Sequence, residues 1–148
     1  MRYLTLAGSL MVLCCLGCAD KAVQTTLKPD TTFAIHTVAA EQGEDTKSLT
    51  DPDSGDVLNL AASPVITATN VLTATVTSDG NGSACLEVTV DEPGAAQLRT
   101  VTAVSGKQIA IVVNGRIASA PTIRTPIDNA FQLSGGAFTR TDWEQIVQ

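Results

Sequence analysis

Apolar and polar residues alternate in short runs along most of this chain. Phe33-Ala34-Ile35-His36-Thr37-Val38 alternates with Phe33 and Ile35 on one face, which predicts a first strand. Val57-Leu58-Asn59-Leu60 predicts a short strand, and Ser63-Pro64-Val65-Ile66 follows it. From Val71 to Ser78 the pattern places Leu72, Ala74 and Val76 on one face and Thr73, Thr75 and Thr77 on the other. Ser78-Asp79-Gly80-Asn81-Gly82-Ser83 is a turn signal, and Cys85 to Val90 alternates again with Leu86, Val88 and Val90 inward. These two runs predict a hairpin. Between Glu41 and Asp56 the chain is acidic and turn-rich, which predicts a loop or a loose hairpin tip.

A helix signal follows the hairpin. Asp91 can cap, Glu92 and Pro93 suit a first turn, and Ala95, Leu98, Val101 and Thr102 recur at spacings of three and four. Gly106 is the expected stop. Ile109 to Val113 is apolar on both faces and predicts a central strand. Asn114-Gly115 is a strong two-residue hairpin signal, because a type I′ turn needs positive φ twice. Arg116 to Ala120 is the returning strand, and Pro121 ends it or places it at an edge. Ala130 to Leu133 predicts one more strand before Ser134-Gly135-Gly136. Thr139 caps a last helix with Asp142 as its partner, and Trp143, Ile146 and Val147 form the apolar stripe. Many short strands and two helices make the expected class α+β, with a small, mostly antiparallel sheet.

The amino terminus follows another pattern. Arg2 precedes an almost wholly apolar run from Leu4 to Leu16, about 13 residues, against the roughly 20 that a helix needs to span a bilayer. A basic start, a short apolar run and small residues after it describe a secretory signal peptide over 1–17. Leu16-Gly17-Cys18 resembles the lipobox of bacterial lipoproteins, although Cys15 stands where that box usually has Leu. The resemblance implies lipidation of Cys18 and cleavage after Gly17. An ordinary cleaved signal peptide is the alternative. Two or more acyl chains hold a protein stably at a membrane, where one is marginal. The stretch 18–32 then reads as the lipidated cysteine and a tether rich in Ala, Lys, Gln, Thr and Pro, and 33–148 as the domain.

The cysteines sort accordingly. Cys14 and Cys15 leave with the leader, Cys18 carries lipid, and Cys85 alone remains in the domain. The domain is therefore expected to stand on packing, without an internal disulfide. No basic residue or His lies near Cys85 in sequence to activate it.

The chain has 148 residues, suited to one domain, with 44% hydrophobic but only 3% aromatic residues. Its core must therefore come from Val, Ile, Leu and Ala. The net charge is −6, and removing the leader takes one basic residue, Arg2, and no acidic one, leaving about −7. Such a chain repels phosphate backbones, which argues against a nucleic-acid partner.

The residues also resemble a known family. Gly106-Lys107-Gln108 through Ile123, with Asn114-Gly115-Arg116 and Ser119-Ala120-Pro121 inside it, is similar to the head region of the first periplasmic domain of SecD. The likeness continues through Thr125-Pro126-Ile127, Gln132-Leu133-Ser134-Gly135 and Phe138-Thr139. Upstream, Asp53-Ser54-Gly55-Asp56-Val57, Val65-Ile66-Thr67 and Val88 to Ala96 fit in the same order. The resemblance, in the SecD/SecDF family of the Sec translocon, implies an α+β domain at the outer face of the cytoplasmic membrane that contacts translocating polypeptide. Two departures matter. Asn114 stands where the family commonly has Asp, and no run after the leader is long and apolar enough to span a bilayer. The expectation is a domain that binds, without the proton-driven motor.

No arrangement of residues points to catalysis. His36 is the only histidine and has no nearby Cys or Asp partner. Asp51, Asp53 and Asp56 only partly follow a calcium loop, since Gly55 takes the fifth position and Ala62 the twelfth. Ser83 and Ser119 lack a base, and no glycine cluster has the Lys of a phosphate loop. The expectation is a protein that is not an enzyme and holds no cofactor or metal. Arg116, Pro121 and Arg124 are the candidate polypeptide-contact residues, and exposed strand edges could pair with an extended segment. The expected setting is the periplasm-facing bacterial envelope, with the membrane reached through lipid. Exported polypeptide and Sec translocon components are the candidate partners. A structural or interaction lipoprotein of the envelope with no tie to export is the alternative.

Overall fold

The computed structural model describes residues 25–134 and 136–148. The expected leader over 1–17 and Cys18 lie outside the described residues. Nine strands and two helices follow in the order β1 (Phe33–Ala39), β2 (Thr46–Thr50), β3 (Val57–Ala61), β4 (Ile66–Thr67), β5 (Val71–Ser78), β6 (Ala84–Val90), α1 (Glu92–Thr102), β7 (Ile109–Val113), β8 (Arg116–Ser119), β9 (Ala130–Ser134) and α2 (Arg140–Ile146). All pairings are antiparallel, so the class is α+β as expected.

Two sheets share the core. The larger runs β2-β3-β1-β7-β8, with β4 pairing on the same edge of β1 as β3; the smaller runs β5-β6-β9. Between them pack Phe33, Ile35, Ile109, Ile111 and Val113 from the large sheet, and Leu86, Val88, Val90 and Leu133 from the small one. Ala95 and Leu98 of α1 and Trp143 and Ile146 of α2 complete this core. A second, smaller core lies on the other face of β7, where Ala110 and Val112 meet Leu60 and Ile117. Every residue of β7 is buried, which is why its sequence is apolar without alternation.

Both helices start as their capping signals predict. The Asp91 carboxylate accepts from Gly94 N at 2.8 Å. At α2 the box is reciprocal: Thr139 N donates to Asp142 Oδ2 at 2.7 Å, and Asp142 N donates to Thr139 Oγ1 at 3.3 Å. α1 stops at Thr102, before the expected Gly106, whose φ of +89° serves the turn that follows. Asn114 and Gly115 take φ of +49° and +78°, the positive pair a tight hairpin turn requires.

Three expectations change. The segment from Glu41 to Asp56 is not all loop, because Thr46–Thr50 forms β2 against β3. Leu72 is not inward: the ladder shifts between Val71 and Thr73, and this bulge turns Leu72 out to 54% exposure. The end of the expected tether is docked. Thr26 and Gln148 exchange backbone bonds at 3.0 and 2.9 Å, Lys28 N donates to Ile146 O at 2.8 Å, and Leu27 bridges Val147. Two segments distant in sequence meet there.

Candidate polypeptide-contact surface

The Asn114-Gly115 turn delivers Arg116 to the surface at the start of β8. Thr32 N donates to Asn114 Oδ1 at 2.9 Å, and Asn114 N donates to Thr32 O at 2.9 Å. The hairpin tip is thereby tied to the chain entering β1. The Arg116 guanidinium lies 5.1 Å from the Phe138 ring centroid. Phe138 in turn stacks on the buried Trp143, centroids 4.6 Å apart and planes at 28°. Arg116 takes part in no ion pair among the described residues, whereas Arg99 pairs with Glu92 and Asp128, and Arg140 with Glu144. A cleft of about 280 Å³ opens beside it, lined by Asp30, Asn114, Phe138, Asp142 and Gln145 among others. The Thr139 hydroxyl and N–H, and secondarily the Arg116 charge, hold the Asp142 carboxyl below its ordinary range. A guanidinium on an aromatic shelf, with no ion pair or hydrogen bond among the described residues, can take a carbonyl or carboxylate from an incoming chain.

Pro121 and Arg124 do not converge on this cleft. Pro121 lies five positions beyond Arg116, about 17 Å at strand rise. Pro121 is exposed and gives the ladder only its carbonyl, which accepts from Ile109 N at 3.2 Å. Arg124 follows Ile123, whose backbone is pinned to Lys107 O at 2.7 Å and Gly106 N at 2.8 Å. The three candidates are strung along β8 and the loop after it. Phe138 is the member that sequence reading missed, since it lies far along the chain from Arg116.

The remaining candidates are structural in this fold. His36 Nδ1 lies 2.7 Å from Ala61 O, joining β1 to the end of β3. Asp51 uses its oxygens within its own turn, accepting from Asp53 N and Ser54 Oγ at 3.1 Å each. No group of three or more His, Cys, Asp or Glu side chains suited to a metal ion occurs among the described residues. Cys85 is fully buried, with Thr77 Oγ1 at 3.0 Å and Gln132 Nε2 at 2.8 Å from its sulfur.

The sheet edges are the other feature able to meet a polypeptide, and several are partly covered. On β5, Ala74 N donates outward to Thr25 O at 2.9 Å. On β8, a Cβ built on Gly136 would lie 2.2 Å from Ala118 O, so that loop sits directly on the strand, and Gln108 Nε2 takes Ala120 O at 2.9 Å. On β2, Thr46 N is taken by Gly43 O at 3.2 Å, and the exposed Lys47 guards the strand. On β9 no outward backbone group has a partner among the described residues.

Comparison with known proteins places this geometry. The family described as "SecDF, P1 head subdomain" matches residues 45–145. A curated relative, the protein translocase subunit SecDF of Brucella abortus biovar 1 (strain 9-941), is 30% identical over 120 residues. That match takes in 80% of this chain but only 15% of the relative's length. A solved structure titled "Structure and function of a membrane component SecDF that enhances protein export" superposes with a TM-score of 0.58 at 21% identity, over 77% of this chain and 59% of that one. A second, "Crystal structure of SecDF in Super-membrane-facing form", gives 0.56 at 20% identity over 78% and 17%. Among the described residues no helix is long and apolar enough to cross a membrane. With the match spanning every strand but β1 and nearly all of α2, the chain belongs to the SecDF P1 head subdomain family.

Proposed function

We propose that this protein is a non-catalytic lipoprotein of the bacterial envelope that binds polypeptide, or a translocon component, in connection with protein export. The observation that carries the reading is the family match over residues 45–145. In this reading lipid on Cys18 replaces the membrane-spanning helices of a translocase subunit, and the head faces the periplasm. Contact is made by Arg116 on its aromatic shelf, with Pro121 and Arg124 further along β8 and its loop. Weak, sequence-tolerant binding suits such a surface, because it offers a guanidinium unpaired among the described residues and exposed backbone in place of a deep pocket.

The test is photo-crosslinking in cells from residues introduced at Arg116, Pro121 and Arg124. Adducts with exported chains in transit or with Sec components are expected. Crosslinks confined to one fixed envelope partner, or none at all, would sink the reading. Mass spectrometry of the mature amino terminus tests the anchor separately: a Cys18 with a diacylglyceryl thioether and an acylated amino group is expected, and an unmodified Cys18 on an intact leader removes it.

A further inference from the structure

We infer that the outer edge of β9 is a docking strip for one extended segment of polypeptide, which adds to the small sheet as a fourth strand. The inference rests on the polypeptide-binding reading above and names the atoms that would perform it.

The ladder defines which backbone groups face outward. Val90 N donates to Asn129 O at 2.8 Å, and the register then pairs Val88 with Phe131 and Leu86 with Leu133. Bonded and non-bonded positions alternate along an antiparallel pair. Asn129, Phe131 and Leu133 therefore turn their N–H and C=O groups to β6, while Ala130, Gln132 and Ser134 turn theirs away. The same parity on β5 directs Ala74 N outward, where Thr25 O meets it. No such partner covers Ala130, Gln132 or Ser134 among the described residues.

The strip carries no residue of a kind that closes an edge. Ala130-Phe131-Gln132-Leu133-Ser134 contains no charge and no proline, unlike β2 with Lys47. Its two faces differ. Phe131 is half-buried against the main core, so an apolar side chain opposite it would extend that core. On the other side Glu87 is exposed, in no ion pair among the described residues, and lines a 270 Å³ depression with Ala130, Phe131 and Gln132. The fitting occupant alternates apolar and basic residues. Backbone pairing supplies the affinity and leaves the sequence otherwise free.

A second copy of this chain fits less well. Five residues make a strip about 17 Å long. Pairing two such strips falls well short of the roughly 1,200 Å² that a stable association buries. A contact of that size suits a segment that binds and leaves.

The test uses the full chain in detergent and a fluorescent synthetic peptide of alternating valine and lysine. Measurable binding is expected. The same peptide N-methylated along one edge cannot donate to β9 and should bind about tenfold to a hundredfold more weakly, as two lost hydrogen bonds of about 1 kcal/mol each imply. Gln132→Pro removes one outward N–H and should weaken binding similarly, without touching the β6 ladder. Glu87→Gln should weaken the lysine peptide but not its threonine counterpart. Equal binding of the N-methylated peptide would overturn the inference and leave the polypeptide-binding reading standing. Failure of every peptide, with crosslinks at Arg116 intact, would do the same; loss of both would end both. A dimer that Gln132→Pro dissolves would assign β9 to a second copy and overturn the inference.

Discussion

The Thr102 hydroxyl donates to Leu98 O at 2.6 Å and accepts from the backbone N–H of Ile127 at 2.8 Å. Thr102 is fully buried at the last turn of α1, so this one side chain joins the helix end to the loop that leads into β9. The neighbouring Arg99–Asp128 pair is exposed and contributes little by comparison. Thr102→Val keeps the shape and removes the acceptor, leaving the Ile127 N–H without one. Stability should fall by about 1–3 kcal/mol. Thr102→Ser keeps the hydroxyl, loses one methyl and should cost about 1 kcal/mol. Urea unfolding midpoints check the order. Hydrogen exchange at Ala130 to Ser134 should rise in the valine variant, since the loop positions that strand. A valine variant as stable as the parent would show that the bond is not needed.

Gly136 and Gly115 share a φ of +78° but differ in surroundings. A Cβ at Gly115 meets nothing within 4 Å, whereas at Gly136 it would lie 2.2 Å from Ala118 O. Gly115→Ala should therefore cost only the left-handed penalty, about 1–2 kcal/mol. Gly136→Ala adds a collision with backbone that has no side chain to rotate aside, so its melting temperature should fall further. Equal losses would mean that the Ala118 contact yields freely.

Short-range signals were readable in this chain, and long-range ones were not. The Asn114-Gly115 hairpin, the β5–β6 hairpin and both helix starts depend on residues within a few positions, and each formed where its pattern lay. β2 escaped notice because Thr46-Lys47-Ser48-Leu49-Thr50 buries little and its one apolar residue, Leu49, packs on the minor core. Leu72 misled because a bulge resets the alternation, and nothing local marks it. The docking of residues 25–28 depends on the other end of the chain. At the candidate surface Arg116 was visible as a charged turn residue, but the Phe138 shelf exists only after folding. The open edge of β9 follows from which strands lie beside it, and no sequence window contains that.

Cys85 should be inert in the native protein. Its sulfur is fully buried under Thr77 and Gln132, one from each neighbouring strand. Reagent can reach it only when the β6–β9 ladder opens. Alkylation by iodoacetamide, read by mass spectrometry on the peptide that contains Cys85, should be slow and should rise with urea in step with unfolding. Gln132→Ala removes half of the cover and should speed the reaction without lowering the urea midpoint. Rapid labelling of the parent protein would contradict the burial.

The capping box of α2 makes stability depend on acid. Asp142 accepts from Thr139 N and Oγ1 at 2.7 Å each, and these bonds, with the Arg116 charge behind them, lower its carboxyl from the usual 3.8. A carboxyl lowered by folding binds fewer protons in the native state than in the unfolded one, so its contribution is complete above the unfolded value. As pH falls through about 4 and on through the lower folded value, protonation removes the acceptor and the contribution is lost. Asp142→Asn removes the titrating group while keeping a cap-capable amide. The parent should therefore lose stability faster than the asparagine variant between about pH 5 and 2, and the two curves should run parallel above that window. Because α2 carries Trp143, which supports Phe138 and through it Arg116, loosening the cap should also broaden the Trp143 fluorescence before global unfolding. Stability curves that stay parallel down to pH 2 would show that the Thr139 bonds do not distinguish the folded from the unfolded carboxylate.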